Sequence, residues 1–208
     1  MSWILTYTGK KINPFVPDLN EICIEDIAHA LSLQCRFGGH CKQFYSVADH
    51  CIRVSELVKE WIEHSNNAHI IDEDLKKQSI KSVQQIALLH DATEAYIMDI
   101  PTPVKLQLDQ YKRVEKNLEA SIYKKFNSSV LPEIKDIIKW ADYIMLINEA
   151  QNLFAHNIDD WEDVNHARRS DLYPNPANVD YDGLYLGKPR TSEEAEKDFL
   201  KLFTETLN

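Results

Sequence analysis

The stretch IALLHDATEAYIMDIPTPVK, residues 86–105, restricts the fold more than any other part of the chain. Its first residues are patterned for burial, and they run straight into His90 and Asp91, with Glu94 and Asp99 close behind. Uncompensated charge in a core costs several kcal/mol or more, so a fold built on this segment must bring other groups to it. Spacing says which element carries it. Val83, Ile86, Ala87 and His90 fall at i, i+3, i+4 and i+7, which predicts His90 on the apolar face of a helix.

The same period recurs along the chain. IEDIAHALSL predicts a short helix from Ile24, and SVADHCIRVSELVKEWIEH a longer one running to about His64, opened by Ser46 with Asp49 three residues on as in a capping box. SNNAHIIDED reads as a polar connection, and KKQSIKSVQQIALLHD as a third helix. VKLQLDQYKRVEKNLEASIYKKF and PEIKDIIKWADYIMLINEAQNLF keep the helical period over several turns each, and TSEEAEKDFLKLFTETL supplies a capped closing helix at 192–208. Extended patterning is confined to residues 1–20, where WILTYTGKKINPFV alternates around a Thr-Gly-Lys turn and predicts an arm or hairpin. Residues 156–191 carry three prolines and two glycines and read as an irregular extension, with a short helix around Asp160–Arg168. A solvated loop is the plain reading there, a substrate lid or subunit contact the alternative. The expectation is an all-α fold of five to seven helices, a single domain over 1–208 with a small N-terminal extended element; 208 residues suffice for one well-buried core.

His50 stands on an apolar stripe with Val47, Val54 and Leu57, and Asp142 on another with Ile138 and Met145. Taken singly, such residues are core histidines bonded to a carbonyl, or caps and ion-pair partners. Taken together, three helices each offer an ionisable group to one small core, so the groups converge. His50, His90, Asp91 and Asp142 then form a nitrogen and oxygen donor set suited to one divalent metal ion: Mn, Co, Ni, Fe, Zn or Mg.

Composition limits the partners. A net charge of −10 argues against binding to a nucleic-acid polymer, which needs clustered Lys and Arg, and leaves small phosphorylated substrates open. No apolar run reaches the length of a membrane span, and the first residues lack the layout of a secretory signal. Cys23, Cys35, Cys41 and Cys51 show no paired spacing, so neither a thiolate zinc site nor a disulfide scaffold is suggested. A cytoplasmic protein with reduced thiols and no membrane partner is expected, and a homo-oligomer is compatible with the sequence.

The order H…HD…D resembles the HD-domain metal-dependent phosphohydrolases. HDATEAYIMDIPTPVK, CRFGGH at 35–40, FYSVADH at 44–50 and TYTGKK…DIAHALS resemble the branch that contains the bacterial and phage 5′-deoxynucleotidases. The resemblance covers roughly residues 3–150 and, more faintly, the closing helix. It implies a helical HD-domain bundle with metal ligands at His50, His90, Asp91 and Asp142. It implies Glu94 as the catalytic carboxylate that positions or deprotonates water or protonates the leaving oxygen, and Arg36 as the cation that meets the substrate phosphate. It places Asp99 at the nucleoside sugar and Lys105 at the end of the Ile-Pro-Thr-Pro turn. Phe37 stands where those enzymes commonly carry Trp against the sugar, and His40, behind two glycines, can reach a phosphate or the leaving oxygen.

The implied activity is hydrolysis of a phosphoester in a small nucleotide, first a deoxynucleoside 5′-monophosphate. A deoxynucleoside triphosphate triphosphohydrolase and a phosphodiesterase of cyclic or other signalling nucleotides are the alternatives. A non-catalytic nucleotide-binding regulator and a purely structural helical protein are the rivals of another class.

Overall fold

Six helices of nine residues or longer carry the fold among the residues that the computed structural model describes, 3–64, 80–156, 158 and 187–207. They are α1 (Ile24–Leu33), α2 (Val47–His64), α3 (Ile80–Leu88), α6 (Asp109–Lys125), α7 (Pro132–Leu153) and α8 (Ser192–Thr206). Two four-residue helices, α4 (Glu94–Ile97) and α5 (Thr102–Lys105), lie between α3 and α6. The only sheet among these residues is an antiparallel hairpin of β1 (Ile4–Leu5) and β2 (Lys11–Ile12), with Ile4 opposite Ile12. The all-α fold with a small extended N-terminal element is therefore what the chain adopts.

α2 is the hub, packed against α1, α3, α7 and α8. Val47, Val54, Val58 and Trp61 are buried on it, and His50 lies fully buried among them. Packing of this kind, rather than helix propensity, stabilises most helices in proteins. No helix among the described residues is long and apolar enough to cross a membrane.

The capping signals play out unevenly. Thr191 and Glu194 form a complete capping box on α8. At α2, Ser46 Oγ accepts from the Asp49 amide at 3.1 Å, but the Asp49 carboxylate turns elsewhere. It accepts from Arg53 Nε at 2.8 Å, from Arg190 Nη1 at 2.7 Å and from the Arg190 amide at 2.9 Å. Arg190 thus ties the approach to α8 onto the first turn of α2, one residue from His50. Replacing Arg190 with alanine leaves a fully buried carboxylate short of a partner. A destabilisation of about 2–4 kcal/mol is expected, read as a lower urea midpoint.

The hairpin is held by a buried carboxylate. The backbone amide and hydroxyl of Thr8 donate to Asp26, in the first turn of α1, at 2.7 and 2.9 Å. Tyr7 stacks on His29, whose Nδ1 lies 3.1 Å from Glu196 on α8, so the N- and C-terminal elements meet on α1.

Two helices are shorter than their sequence pattern predicts. The third ends at Leu88, and residues 89–93 form turns closed by i to i+3 bonds such as Ala92 N to Leu89 O and Glu94 N to Asp91 O. The helix predicted from Val104 onward breaks between Lys105 and Asp109, where Lys112 Nζ donates to the freed Leu106 carbonyl at 2.8 Å. Most of the 156–191 extension, including the short helix expected around residue 160, and the SNNAHIIDED connection lie outside the described residues.

Candidate active site

Three elements deliver four donor atoms to one place. α2 brings His50, the turns after α3 bring His90 and Asp91, and α7 brings Asp142. His50 Nε2 lies 3.3 Å from His90 Nε2, 3.1 Å from Asp142 Oδ1 and 3.7 Å from Asp91 Oδ2. His90 Nε2 lies 3.3 Å from Asp91 Oδ2 and 4.0 Å from Asp142 Oδ1. The early end of α3 matters here. Neighbouring residues on a helix diverge by about 100°, whereas the turn lets His90 and Asp91 face the same point.

The far side of each imidazole decides what the near side offers. His90 Nδ1 lies 2.7 Å from the Ala87 carbonyl, which can only accept, so Nδ1 carries the proton. His50 Nδ1 lies 2.6 Å from Glu149 Oε1, with the same result. Two Nε2 lone pairs therefore point at each other and at two carboxylates, an arrangement that calls for a cation. Burial works against a charged His90, yet Asp91 and Cys51 outweigh it and hold its pKa well above the ordinary value, so positive charge, as a proton or as a metal ion, is favoured at this point. With both imidazoles neutral, Asp91, Asp142 and Glu149 carry three negative charges against one on Arg36, and one divalent ion matches the remaining two. His50, His90 and Asp91 alone place their ligand atoms within 4.8 Å of one another and can hold a metal ion; Asp142, 41% exposed, stands beside them at the open side.

Glu149 is the site residue that the sequence reading missed. It lies seven residues after Asp142 on α7, hence on the same face, and is fully buried. Besides His50 it receives the Tyr45 hydroxyl at 2.8 Å and Arg36 Nε at 3.1 Å. Burial alone would raise its pKa, but Arg36 and His50 prevail and lower it. Arg36 sits at the start of a single 3-10 turn, Arg36–Gly39, with Nη1 3.6 Å from Asp91 Oδ2. Phe37 and Gly38 in that turn have φ of 57° and 58°, left-handed values that favour glycine. The strained Phe37 is stabilised by edge contact with Phe154, ring centroids 5.0 Å apart.

Glu94 is 6% exposed, and its Oε2 has no hydrogen-bond partner among the described residues. Burial, then the carboxylates of Asp91 and Asp99, raise its pKa well above the usual carboxylate range. A second missed residue orders this segment: Gln34 donates to the Glu94 carbonyl at 3.0 Å and accepts from the Asp99 amide at 3.2 Å. Arg36, Phe37, His40 and Asp99 line an open cavity of about 520 Å³ whose wall continues through residues 100–103, Leu146 and Phe154. Lys105 is not in that wall; it pairs with Glu115 on α6.

A helical bundle that gathers His50, the His90-Asp91 pair and Asp142 beside such a cavity is that of the HD-domain proteins. Residues 38–172 match the family described as 5′-deoxynucleotidase YfbR-like, a phosphohydrolase family, and the chain belongs to it. The uncharacterized protein YfdR of Escherichia coli (strain K12) is 38% identical over 153 residues, 74% of this chain and 73% of that protein. The uncharacterized protein RCAP_rcc00048 of Rhodobacter capsulatus is 32% identical over 157 residues, 73% of each.

Proposed function

We propose that the chain hydrolyses deoxynucleoside 5′-monophosphates to deoxynucleoside and phosphate, with one divalent ion held by His50, His90, Asp91 and Asp142. Adjacency carries the reading: Arg36 lies between the donor cluster and the mostly apolar cavity, touching both. A phosphate among the donors leaves its nucleoside in the cavity.

When bound, the ion supplies Lewis acidity toward water and a phosphoryl oxygen. Glu149 occupies Nε of Arg36, which leaves the terminal amino groups to offset charge on the equatorial phosphoryl oxygens. The raised pKa of Glu94 favours its protonated form, whose proton would go to the 5′-oxygen as its bond to phosphorus breaks and water bonds to phosphorus, a proton of that water returning to the carboxylate. Asp99 faces the sugar from the cavity wall.

Charge favours the monophosphate over the triphosphate. Among the described residues lining the cavity, Arg36 and His40 are the basic ones, and Asp99 opposes a longer phosphate chain. The apolar Phe37 and Phe154 side of the wall disfavours a 2′-hydroxyl turned toward it, whose burial without a partner costs about 1–3 kcal/mol, or roughly 5- to 150-fold in specificity. A panel of mono-, di-, tri- and cyclic nucleotides with Mn2+ or Co2+, products separated by chromatography, tests the proposal. Deoxynucleoside monophosphates should turn over best; release of tripolyphosphate as the main product would overturn the substrate assignment. Tight binding without phosphate release would make the chain a regulator. Phe37→Ala should raise KM several-fold and shrink the deoxy-to-ribo ratio with kcat nearly kept, and an unchanged ratio would remove Phe37 from the sugar site.

A further inference from the structure

Glu149 joins two parts of the site that have different tasks. Its Oε1 is shared by His50 Nδ1 at 2.6 Å and the Tyr45 hydroxyl at 2.8 Å, while Oε2 meets Arg36 Nε at 3.1 Å. All of this happens at zero exposure, with no solvent to replace a lost bond. We infer that Glu149 is a positioning residue that couples cation binding to phosphate binding, one carboxylate setting both the face His50 turns to the ion and the orientation of Arg36. The inference rests on the proposed reading of the site as one that holds a cation and a phosphoryl group.

An ionised carboxylate only accepts, so every group that approaches it must donate. His50 is thereby held with its proton on Nδ1 and its lone pair on Nε2, toward His90 and Asp142. Arg36 is held with Nε turned inward, which sends Nη1 toward Asp91 and the side chain to the cavity wall. A glutamine of the same shape offers one acceptor and one donor. With its oxygen toward His50, its amino group meets the Arg36 Nε–H, donor against donor. With its oxygen toward Arg36, its amino group faces His50 and drives the proton to Nε2, where it blocks the ion. Neither orientation preserves both tasks, although both preserve the packing. Tyr45 does not remove the conflict, because its hydroxyl meets only one of the two oxygens.

The test compares the full chain with Glu149→Gln. Co2+ is titrated calorimetrically into the chelator-treated proteins, its visible absorption is recorded, and inorganic phosphate is then titrated into the Co2+-loaded forms. Carboxylates behind a metal-binding histidine are worth about 10–100-fold in affinity, so Glu149→Gln should weaken Co2+ by that factor and shift its spectrum, or keep Co2+ and weaken phosphate about 10-fold. Both affinities within twofold of wild type, with an unshifted spectrum, would overturn the inference and leave the proposed function standing. A wild-type chain that binds neither Co2+ nor phosphate would remove the function and the inference together. Should the variant fail to fold, nitrogen-15 NMR of the Zn2+-loaded wild-type chain decides: His50 must carry its proton on Nδ1, and a proton on Nε2 overturns the coupling.

Discussion

Replacing His90 and Asp91 together with alanine should abolish both metal retention and phosphate release. Two of the four converging donors disappear, including the Nε2 that faces His50 at 3.3 Å and the carboxylate oxygen 3.3 Å from it. The Lewis acidity of a bound ion is worth several kcal/mol of transition-state stabilisation, so the loss is on the order of 10³-fold or more. EDTA should reproduce it in the wild-type chain, with recovery on adding Mn2+ or Co2+. The helices should survive, because the buried apolar cluster runs from Ile12 to Phe203 and does not depend on these two side chains. Metal content by mass spectrometry, phosphate release and far-UV circular dichroism on one preparation check all three statements. Wild-type turnover in the double variant would end the proposed mechanism.

Glu94→Ala should separate chemistry from binding. The carboxyl is buried, its Oε2 has no hydrogen-bond partner among the described residues, and burial with Asp91 and Asp99 raises its pKa and favours the protonated acid. Metal and nucleotide affinity should therefore stay near wild type while kcat falls by about 10²–10⁴, the range for a lost general acid or base. The metal-free variant should also be at least as stable as wild type, because a buried polar group without a partner is removed. Calorimetry, metal analysis, kcat and a thermal melt decide. A kcat near wild type would leave Glu94 a packing residue, and lost metal would recast it as a ligand.

Much of this was legible in the sequence because helical periodicity and burial follow the same rule. His50 and Asp142 fall where their apolar neighbours do, and those helices form at Val47–His64 and Pro132–Leu153. The Thr191 capping box was legible for a local reason, since both partners lie within one turn. The turn after Leu88 was not, because the apolar period runs through it unbroken and only the backbone departs. Glu149 carried a usable sign, its place seven residues after Asp142, but a glutamate on a helix ordinarily faces water. Gln34 gave none, its partners at Glu94 and Asp99 being distant in sequence, and Asp49 read as a cap because its partner Arg190 lies 141 residues away and is brought close only by packing.

That distance along the chain also fixes when the site can exist. His50 meets His90 across 40 residues and Glu149 across 99, and Arg36 reaches Glu149 across 113. Contacts of such span cannot help a helix nucleate; they form only after α2 has docked on α3 and α7 and the entropy of closing those loops has been met. An ion held at this centre should therefore act on the folded bundle, stabilising it by mass action and slowing unfolding, with the refolding rate nearly the same with and without Co2+ in stopped-flow measurements.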